Sequence, residues 1–223
     1  MRKETVEQKV YYLIKNAILT RQIAPGNQLF ENAIAAKVNA SRTPIRSAIV
    51  KLEAEGLVNV VPNKGAFIVQ PTIEEMIHAF NMRKVLEEMA IHEGFLKLQQ
   101  TEINRLKQDV EEMKAAYNNQ QIITYHEKNN LFHLVFALAS GNRYLIEFME
   151  KILGQITIYM VLYDVFKGND QYDMDMQEHD EMIRLIEAGN KEMLLKLTLR
   201  HLDGSLEKLQ QDKLNYQSLS TLF

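Results

Sequence analysis

The sequence predicts a mainly α protein. An N-terminal winged helix-turn-helix with a small β-hairpin wing is followed by a C-terminal all-α helical bundle. Three observations predict it. All four prolines, at 25, 44, 62 and 71, fall in the first 71 of 223 residues, so the rest of the chain has no proline to break a long helix. Charge divides at the same point. Residues 1–70 hold ten Lys/Arg against five Asp/Glu, and residues 71–223 hold sixteen against twenty-four. Finally, residues 28–70 read as a short helix, a tight turn, a second helix with a basic start, and a hairpin. The expected domains are therefore 1–70 and 71–223.

The elements follow in order. Residues 5–21 form a first helix whose inner face is Val6, Val10, Leu13, Ile14, Ala17 and Ile18, until Ala24-Pro25-Gly26 breaks it. Gln28–Asn39 gives a short amphipathic helix through Leu29, Ile34, Ala35 and Val38, and Asn39-Ala40 turns into Ser41. In the next helix Thr43 is placed as N-cap and Pro44 as first helical residue, where its missing N–H costs nothing. Ile45, Ala48, Ile49 and Leu52 form its buried stripe, while Arg42, Thr43 and Arg46 cluster at its start on the other side. A helix N-terminus with free amides and guanidinium groups favours phosphate, and Arg can also read guanine in a DNA major groove. Gly56 stops this helix. Leu57–Val61 and Ala66–Gln70 are strands joined by Pro62-Asn63-Lys64-Gly65, with Lys64 at the tip.

The body reads as about six helices. Thr72 and Glu75 form a capping box for the first, with Ile73, Met76, Ile77 and Phe80 facing inward. The others cover roughly 101–118, 121–139, 142–167, 174–188 and 190–214, the last four separated by Ser140-Gly141-Asn142, Lys167–Tyr172 and Gly189-Asn190. The basic head and acidic body place nucleic-acid contact in the head alone.

Composition excludes several classes. With no cysteine there is no disulfide framework and no thiolate metal site, which is compatible with a reducing cytosol. The N-terminus has no apolar run of a signal peptide. The most apolar stretch, Leu131–Ala139, contains His133 and is too short to span a bilayer, so no membrane partner is expected.

One constellation in the body carries the donors for metal chemistry: Asn129, His133, His179 and His201. Asn129 and His133 are one turn apart on one helical face. His179 and His201 lie ten residues before and eleven after the Gly189-Asn190 turn, so an antiparallel pair of helices sets them at one level. Three imidazoles and an amide oxygen suit Zn²⁺, Ni²⁺ or Mn²⁺. Each histidine taken alone reads first as a surface or hydrogen-bonded residue. His126 is a rival on the same face, two turns before His133, whereas His78 and His92 read as solvated or interfacial positions.

With these residues assembled, the chain resembles the GntR family of bacterial transcription regulators, and within it the fatty-acid-regulator-like subfamily with a C-terminal helical effector domain called FCD. The resemblance covers almost the whole chain. In the head it rests on PGNQL (25–29), SRTPIR (41–46), KLEAEGLV (51–58) and a wing at Asn63-Lys64-Gly65-Ala66-Phe67. In the body it rests on an ordered set: Arg83 with Leu86-Glu87, Asn129 to His133, Ser140-Gly141-Asn142, Glu178-His179 and His201-Leu202. It implies a bacterial, cytoplasmic, homodimeric, ligand-controlled DNA-binding repressor or activator, taken here as a repressor, on an inverted-repeat operator. Arg42, Thr43 and Arg46 take the places of operator-contacting residues, and Lys64 and Gly65 those of the wing in the minor groove. His133, His179 and His201 take three of four metal-ligand places, and Arg83 that of an Arg that binds an effector carboxylate in several members.

The chain departs from the family pattern at three places. Asn129 stands where most metal-binding members have Asp, Ser47 where Glu usually follows the motif Arg, and Phe30 where a capping Ser or Thr commonly starts a helix. The retained histidines argue against an acyl-CoA ligand. A divalent metal and Arg83 together leave excess positive charge, which a small mono- or dicarboxylate effector would balance. Tyr159 and Tyr163, one turn apart, are candidates to line such a pocket as well as ordinary packing residues. Two other functions fit parts of the pattern. A metal-dependent helical-bundle hydrolase has the ligands but no evident general base, and leaves the winged helix unexplained. A ligand-independent DNA-binding dimer predicts no response to small molecules.

Overall fold

The computed structural model describes residues 5–20, 22–163 and 170–220, and the chain divides into two compact units, Met1–Thr72 and Ile73–Phe223. In the first unit α1 spans Val6–Leu19, β1 Gln28–Leu29, α2 Glu31–Val38, α3 Arg42–Ala54, β2 Val58–Val61 and β3 Gly65–Ile68. The wing is a three-stranded antiparallel sheet rather than a bare hairpin. β3 is central, pairing Val61 with Gly65 on one side and Gln28 with Phe67 on the other. Gln28 and Leu29, expected in the helix, are that third strand, and Leu29 still buries its side chain.

Three local expectations are corrected. Thr5 caps α1 in a full capping box with Gln8, and the buried stripe is Val10, Tyr11, Ile14 and Ile18; Val6 and Leu13 are exposed. Tyr11 takes the inner place because its ring buries while its hydroxyl donates to Glu55 (2.6 Å) and accepts from Lys15 (2.9 Å). In α3 the N-cap is Ser41, so Thr43 is the second helical residue and Pro44 the third. Proline is tolerated there because the first four amides have no helical acceptor. Arg21, placed at the end of the first helix, lies outside the described residues.

The second unit consists, among the described residues, of six α-helices: α4 Ile73–Gly94, α5 Gln100–Asn118, α6 Ile122–Ser140, α7 Arg143–Tyr163, α8 Asp170–Glu187 and α9 Lys191–Ser220, with a 3₁₀ turn at Phe95–Lys97. Much of the expected Lys167–Tyr172 break lies outside the described residues. None of the described helices is long and apolar enough to cross a membrane.

Helix α6 is the axis of this unit. Phe132, Leu134, Val135, Phe136 and Ala137 are all buried, and Leu106, Val110, Met113, Leu145, Met149 and Leu153 belong to the same core. At about 1.5–3 kcal/mol per buried large side chain, this core carries most of the unit's stability. α4 and α6 run parallel. Glu87 meets His133, and Lys97 Nζ donates to the Ser140 carbonyl (2.8 Å). A Cβ on Gly94 would lie 2.1 Å from the Phe136 carbonyl oxygen, so the close approach of the two backbones requires glycine. α9 returns antiparallel to α4: Lys84 pairs with Asp203, and the Glu75 charge, nine residues before Lys84, acts on Lys213, ten residues after Asp203.

Candidate nucleic-acid interface and metal centre

The N-terminus of α3 presents Ser41, Arg42, Thr43 and Arg46 to solvent, and its first turn contains no acidic side chain. Within that turn, therefore, no carboxylate opposes an incoming phosphate. Asn39 makes the preceding turn possible by taking a left-handed conformation (φ 50°, ψ 54°). Arg46 Nε donates to Glu31 Oε2 (2.9 Å) at the start of α2. An exposed pair of this kind contributes about 0–1 kcal/mol, so the guanidinium is readily exchanged onto another acceptor. Lys64 is exposed at the wing tip. Its amide closes the turn onto Val61 O (3.0 Å), with Asn63 left-handed at φ 61°. Gly65 has φ 105°, and a Cβ there would lie 3.0 Å from Gln28 Nε2, which itself donates to Lys64 O (2.7 Å). Gly65 and Gln28 thus fix the shape of the tip that carries Lys64.

In the second unit the structure brings His133, His179 and His201 together. Ring centroids are 4.7 Å apart for His179–His201, 5.4 Å for His133–His201 and 5.5 Å for His133–His179. One nitrogen from each lies within 4.8 Å of the others. All three are buried, and the Phe132 ring stands edge-on to His179 at 4.7 Å.

The other nitrogen of each ring is held outward. His133 Nδ1 donates to Glu87 Oε2 (2.9 Å), His179 Nδ1 donates to the Asp175 carbonyl (2.7 Å) and His201 Nδ1 bonds Glu178 Oε2 (2.9 Å). A carbonyl can only accept, so the His179 proton is on Nδ1 and its lone pair on Nε2. The Nε2 atoms of His133 and His179 are fully buried without a hydrogen-bond partner among the described residues. Burial pushes the His133 pKa down to about 4 against the opposing pull of Glu87. Burial, and then the neighbouring histidines, push His179 well down too. Both rings are therefore neutral at neutral pH. Neutral imidazoles with Nδ1 held and Nε2 free are the donor set a divalent ion takes. An ion about 2.1 Å from each nitrogen would draw them to roughly 3.4 Å apart, a small movement from the geometry seen.

Glu87, 4 % exposed, is the central charged group. Burial opposes its ionisation, but His133 and Arg83 outweigh it and hold its carboxyl at about 2. With His133 neutral at neutral pH, Arg83 is the positive charge beside the Glu87 carboxylate. Arg83 Nε donates to Glu87 Oε1 (2.6 Å), and Arg83 Nη2 is buried without a hydrogen-bond partner among the described residues. Arg83 is thus already neutralised by Glu87, which revises the charge excess expected from sequence, yet it keeps one buried donor. Glu178 is held below the ordinary carboxylate range by the His201 hydrogen bond first and by Arg200 after it.

The remaining candidates are more loosely placed. Asn129 is half-buried one turn before His133. Tyr159 is half-buried, and burial followed by the Glu75 charge raises its hydroxyl pKa. Tyr163 is 1 % exposed and has Lys213 Nζ 5.0 Å from its ring centroid. His126 is buried but is not in the histidine cluster, and His78 and His92 are exposed. Glu87 and Glu178 entered the sequence reading only as motif letters. Glu87 had one local signal, its i,i+4 spacing from Arg83.

Comparisons with known proteins bear on both units. Residues 6–68 match the bacterial regulatory proteins of the gntR family, and residues 78–204 match the FCD domain. The HTH-type transcriptional repressor RspR of Escherichia coli (strain K12) is 20% identical over 208 residues, covering 93% of this chain and 90% of its own. The gluconate operon transcriptional repressor of Bacillus subtilis (strain 168) is 21% identical over 225 residues, covering 98% of this chain and 90% of its own. A solved GntR transcriptional regulator from Rhodococcus sp. RHA1 has the same fold, with a TM-score of 0.72 at 20% identity over 92% of this chain and 97% of that one.

Proposed function

Because the chain belongs to the GntR family of bacterial regulatory proteins and carries an FCD domain, we propose that it is a repressor whose operator affinity is set by a small carboxylate bound beside a divalent metal. It is a DNA-binding transcription regulator, as its relatives are, and not an enzyme. The observation that carries the sensor reading is the histidine cluster, with three Nδ1 atoms held outward and buried Nε2 atoms turned inward. His133, His179 and His201 hold the ion through Nε2, with Asn129 as a weaker fourth ligand. A bound Zn²⁺, Ni²⁺ or Mn²⁺ supplies a positive centre with a coordination position for a carboxylate. Arg83 Nη2 donates to the effector, and Tyr159 and Tyr163 line the approach. The gluconate operon repressor among the relatives makes hydroxy and sugar acids the first compounds to try.

Arg42, Thr43 and Arg46 read the major groove, and the wing at Lys64-Gly65 enters the minor groove. One such head reads a half-site, so a two-fold dimer reads an inverted repeat. The second copy of the chain docks on the α4–α7 face. There Met82, Val85, Met89, Tyr144 and Phe148 are exposed, and a groove of about 360 Å³ runs between Met82, Leu86, Phe148 and Ile152. A contiguous apolar surface on two packed helices marks an interface.

The test begins with elemental analysis of protein purified without chelators. An operator fragment is then selected from random DNA, and its affinity is measured with Zn²⁺ and a panel of carboxylates. Asn129→Asp should tighten metal binding by adding a charged ligand. If added Zn²⁺, Ni²⁺ and Mn²⁺ leave the melting temperature unmoved, the metal is lost from the reading. If no carboxylate shifts operator affinity, the second unit is a dimerisation module.

A further inference from the structure

Two buried nitrogens near the histidines make none of the hydrogen bonds described above. Arg83 spends Nε on Glu87 and buries Nη2 without a hydrogen-bond partner among the described residues. His126, 2 % exposed, buries Nε2 in the same condition. Helix register brings the two side by side. With Glu87 against His133, Gly94 against Phe136 and Lys97 against Ser140, the parallel α4–α6 pair sets Arg83 level with residues 126–129. α9 adds to this level from the other direction. Lys84 pairs with Asp203, so Ser205 and Lys208 follow alongside the Arg83 turn and the turn before it. The Lys208 and Arg83 charges, after burial, help hold the His126 pKa down to about 4. His126 is therefore neutral at neutral pH, with one ring N–H and one ring lone pair.

Resting on the sensor reading above, we propose that Arg83 Nη2 and His126 Nε2–H, in the field of Lys208, form a second anion subsite, so that the effector is a short-chain dicarboxylate with one carboxylate toward the histidines and the other here. His126 lies seven residues before His133, about 10 Å along α6, a span a short diacid can bridge between the two ends. A buried donor without an acceptor weakens the ligand-free fold, and an incoming carboxylate supplies the acceptor. A packing histidine would do the opposite, since its removal would cost stability and gain nothing.

The experiment uses the zinc-loaded full-length chain and three probes that share one 2-hydroxy acid end: 2-hydroxybutyrate, malate and 2-hydroxyglutarate. Malate replaces the terminal methyl of 2-hydroxybutyrate with a carboxylate, and 2-hydroxyglutarate moves that carboxylate one carbon further. Calorimetry should find one of the diacids binding about tenfold to a hundredfold tighter than 2-hydroxybutyrate. His126→Leu should erase most of that preference, affect 2-hydroxybutyrate far less, and raise the melting temperature without ligand. His126→Gln, which keeps a donor, should retain part of the preference. Equal binding of the three probes by the wild type overturns the subsite and leaves the sensor reading standing. A diacid preference that survives in His126→Leu overturns it as well. So does a His126→Leu protein that is less stable and loses all three probes alike. If none of the probes binds the wild type, the sensor reading falls and the subsite with it.

Discussion

Glu87→Gln is the substitution that most directly tests how the histidine cluster is prepared for a metal. The native carboxylate accepts from Arg83 Nε through one oxygen and from His133 Nδ1 through the other. Glutamine has one acceptor oxygen, so it cannot serve both donors. If the oxygen stays on Arg83, the amide NH₂ faces His133 Nδ1. That nitrogen must then accept, the proton moves to Nε2, and the lone pair a metal needs is gone. Arg83 loses its counter-charge in either orientation, and if the oxygen turns to His133 it loses its acceptor as well, which destabilises by about 3–5 kcal/mol. Loss of an outer hydrogen-bond partner of this kind lowers metal affinity about 10–100-fold. The assay is a zinc titration against a chromophoric chelator, with chemical denaturation of the zinc-free protein alongside. Wild-type zinc affinity and wild-type stability together in Glu87→Gln would refute the reasoning, because either orientation of the amide must cost one or the other.

Three further outcomes are expected. Arg46→Ala should weaken operator binding by roughly 1–3 kcal/mol and relax one base position, whereas Lys64→Ala should weaken all sequences alike and lower the salt slope by about one; fluorescence anisotropy over a salt series separates the two. Phe30 is the N-cap of α2 without a side-chain cap, so Phe30→Ser should stabilise an isolated first unit by about 1 kcal/mol in thermal unfolding. In the zinc-free protein, stability should be flat above the unfolded histidine pKa of 6.5 and should fall as pH drops toward the folded value of about 4, because the unfolded state binds the proton first. His126 alone contributes up to about 3 kcal/mol to that loss, and His126→Leu should flatten the slope by up to one proton in urea titrations at stepped pH.

What could be read from sequence was local or set by distance from a turn. The two helices of the motif followed from the spacing of Ile45, Ala48, Ile49 and Leu52 and from the Asn39 turn. The meeting of His179 and His201 followed from equal helical rise on either side of Gly189. The errors came where local rules tied or where partners were distant. Ser41 and Thr43 are both good caps, and one helical turn cannot choose between them. Tyr11 displaced Leu13 because its hydroxyl finds Glu55, 44 residues away. Gln28-Leu29 became a strand through pairing with Ala66-Phe67, which a two-residue segment does not announce. Glu87 was seen only as a motif letter, since its role depends on His133, 46 residues on, across a helix pair whose register Gly94 allows.

Glu87 also determines how the two ends of the site are coupled. Arg83 and Glu87 cancel, Glu178 is paired with Arg200, and imidazole and amide ligands add no charge to a bound ion, so a divalent ion would leave the buried site at a net of about +2, which disfavours ion binding until an anion enters. An effector that draws on the Arg83 guanidinium also acts on Glu87, whose second oxygen orients His133. Metal and effector should therefore bind with positive cooperativity, and linkage requires the effect to be the same in both directions. A tenfold rise in malate affinity on adding zinc needs only about 1.4 kcal/mol of coupling, and zinc affinity must then rise tenfold in saturating malate. Direct ligation of the metal by the acid would produce the same reciprocity, so Glu87→Ala separates the two routes. Coupling carried by ligation alone survives that substitution unchanged, whereas coupling carried through Arg83 and Glu87 shrinks. The measurement is a four-corner set of titrations, zinc with and without malate in wild type and in Glu87→Ala. Equal coupling in the two proteins would remove Glu87 from the link and leave it the single task of orienting His133.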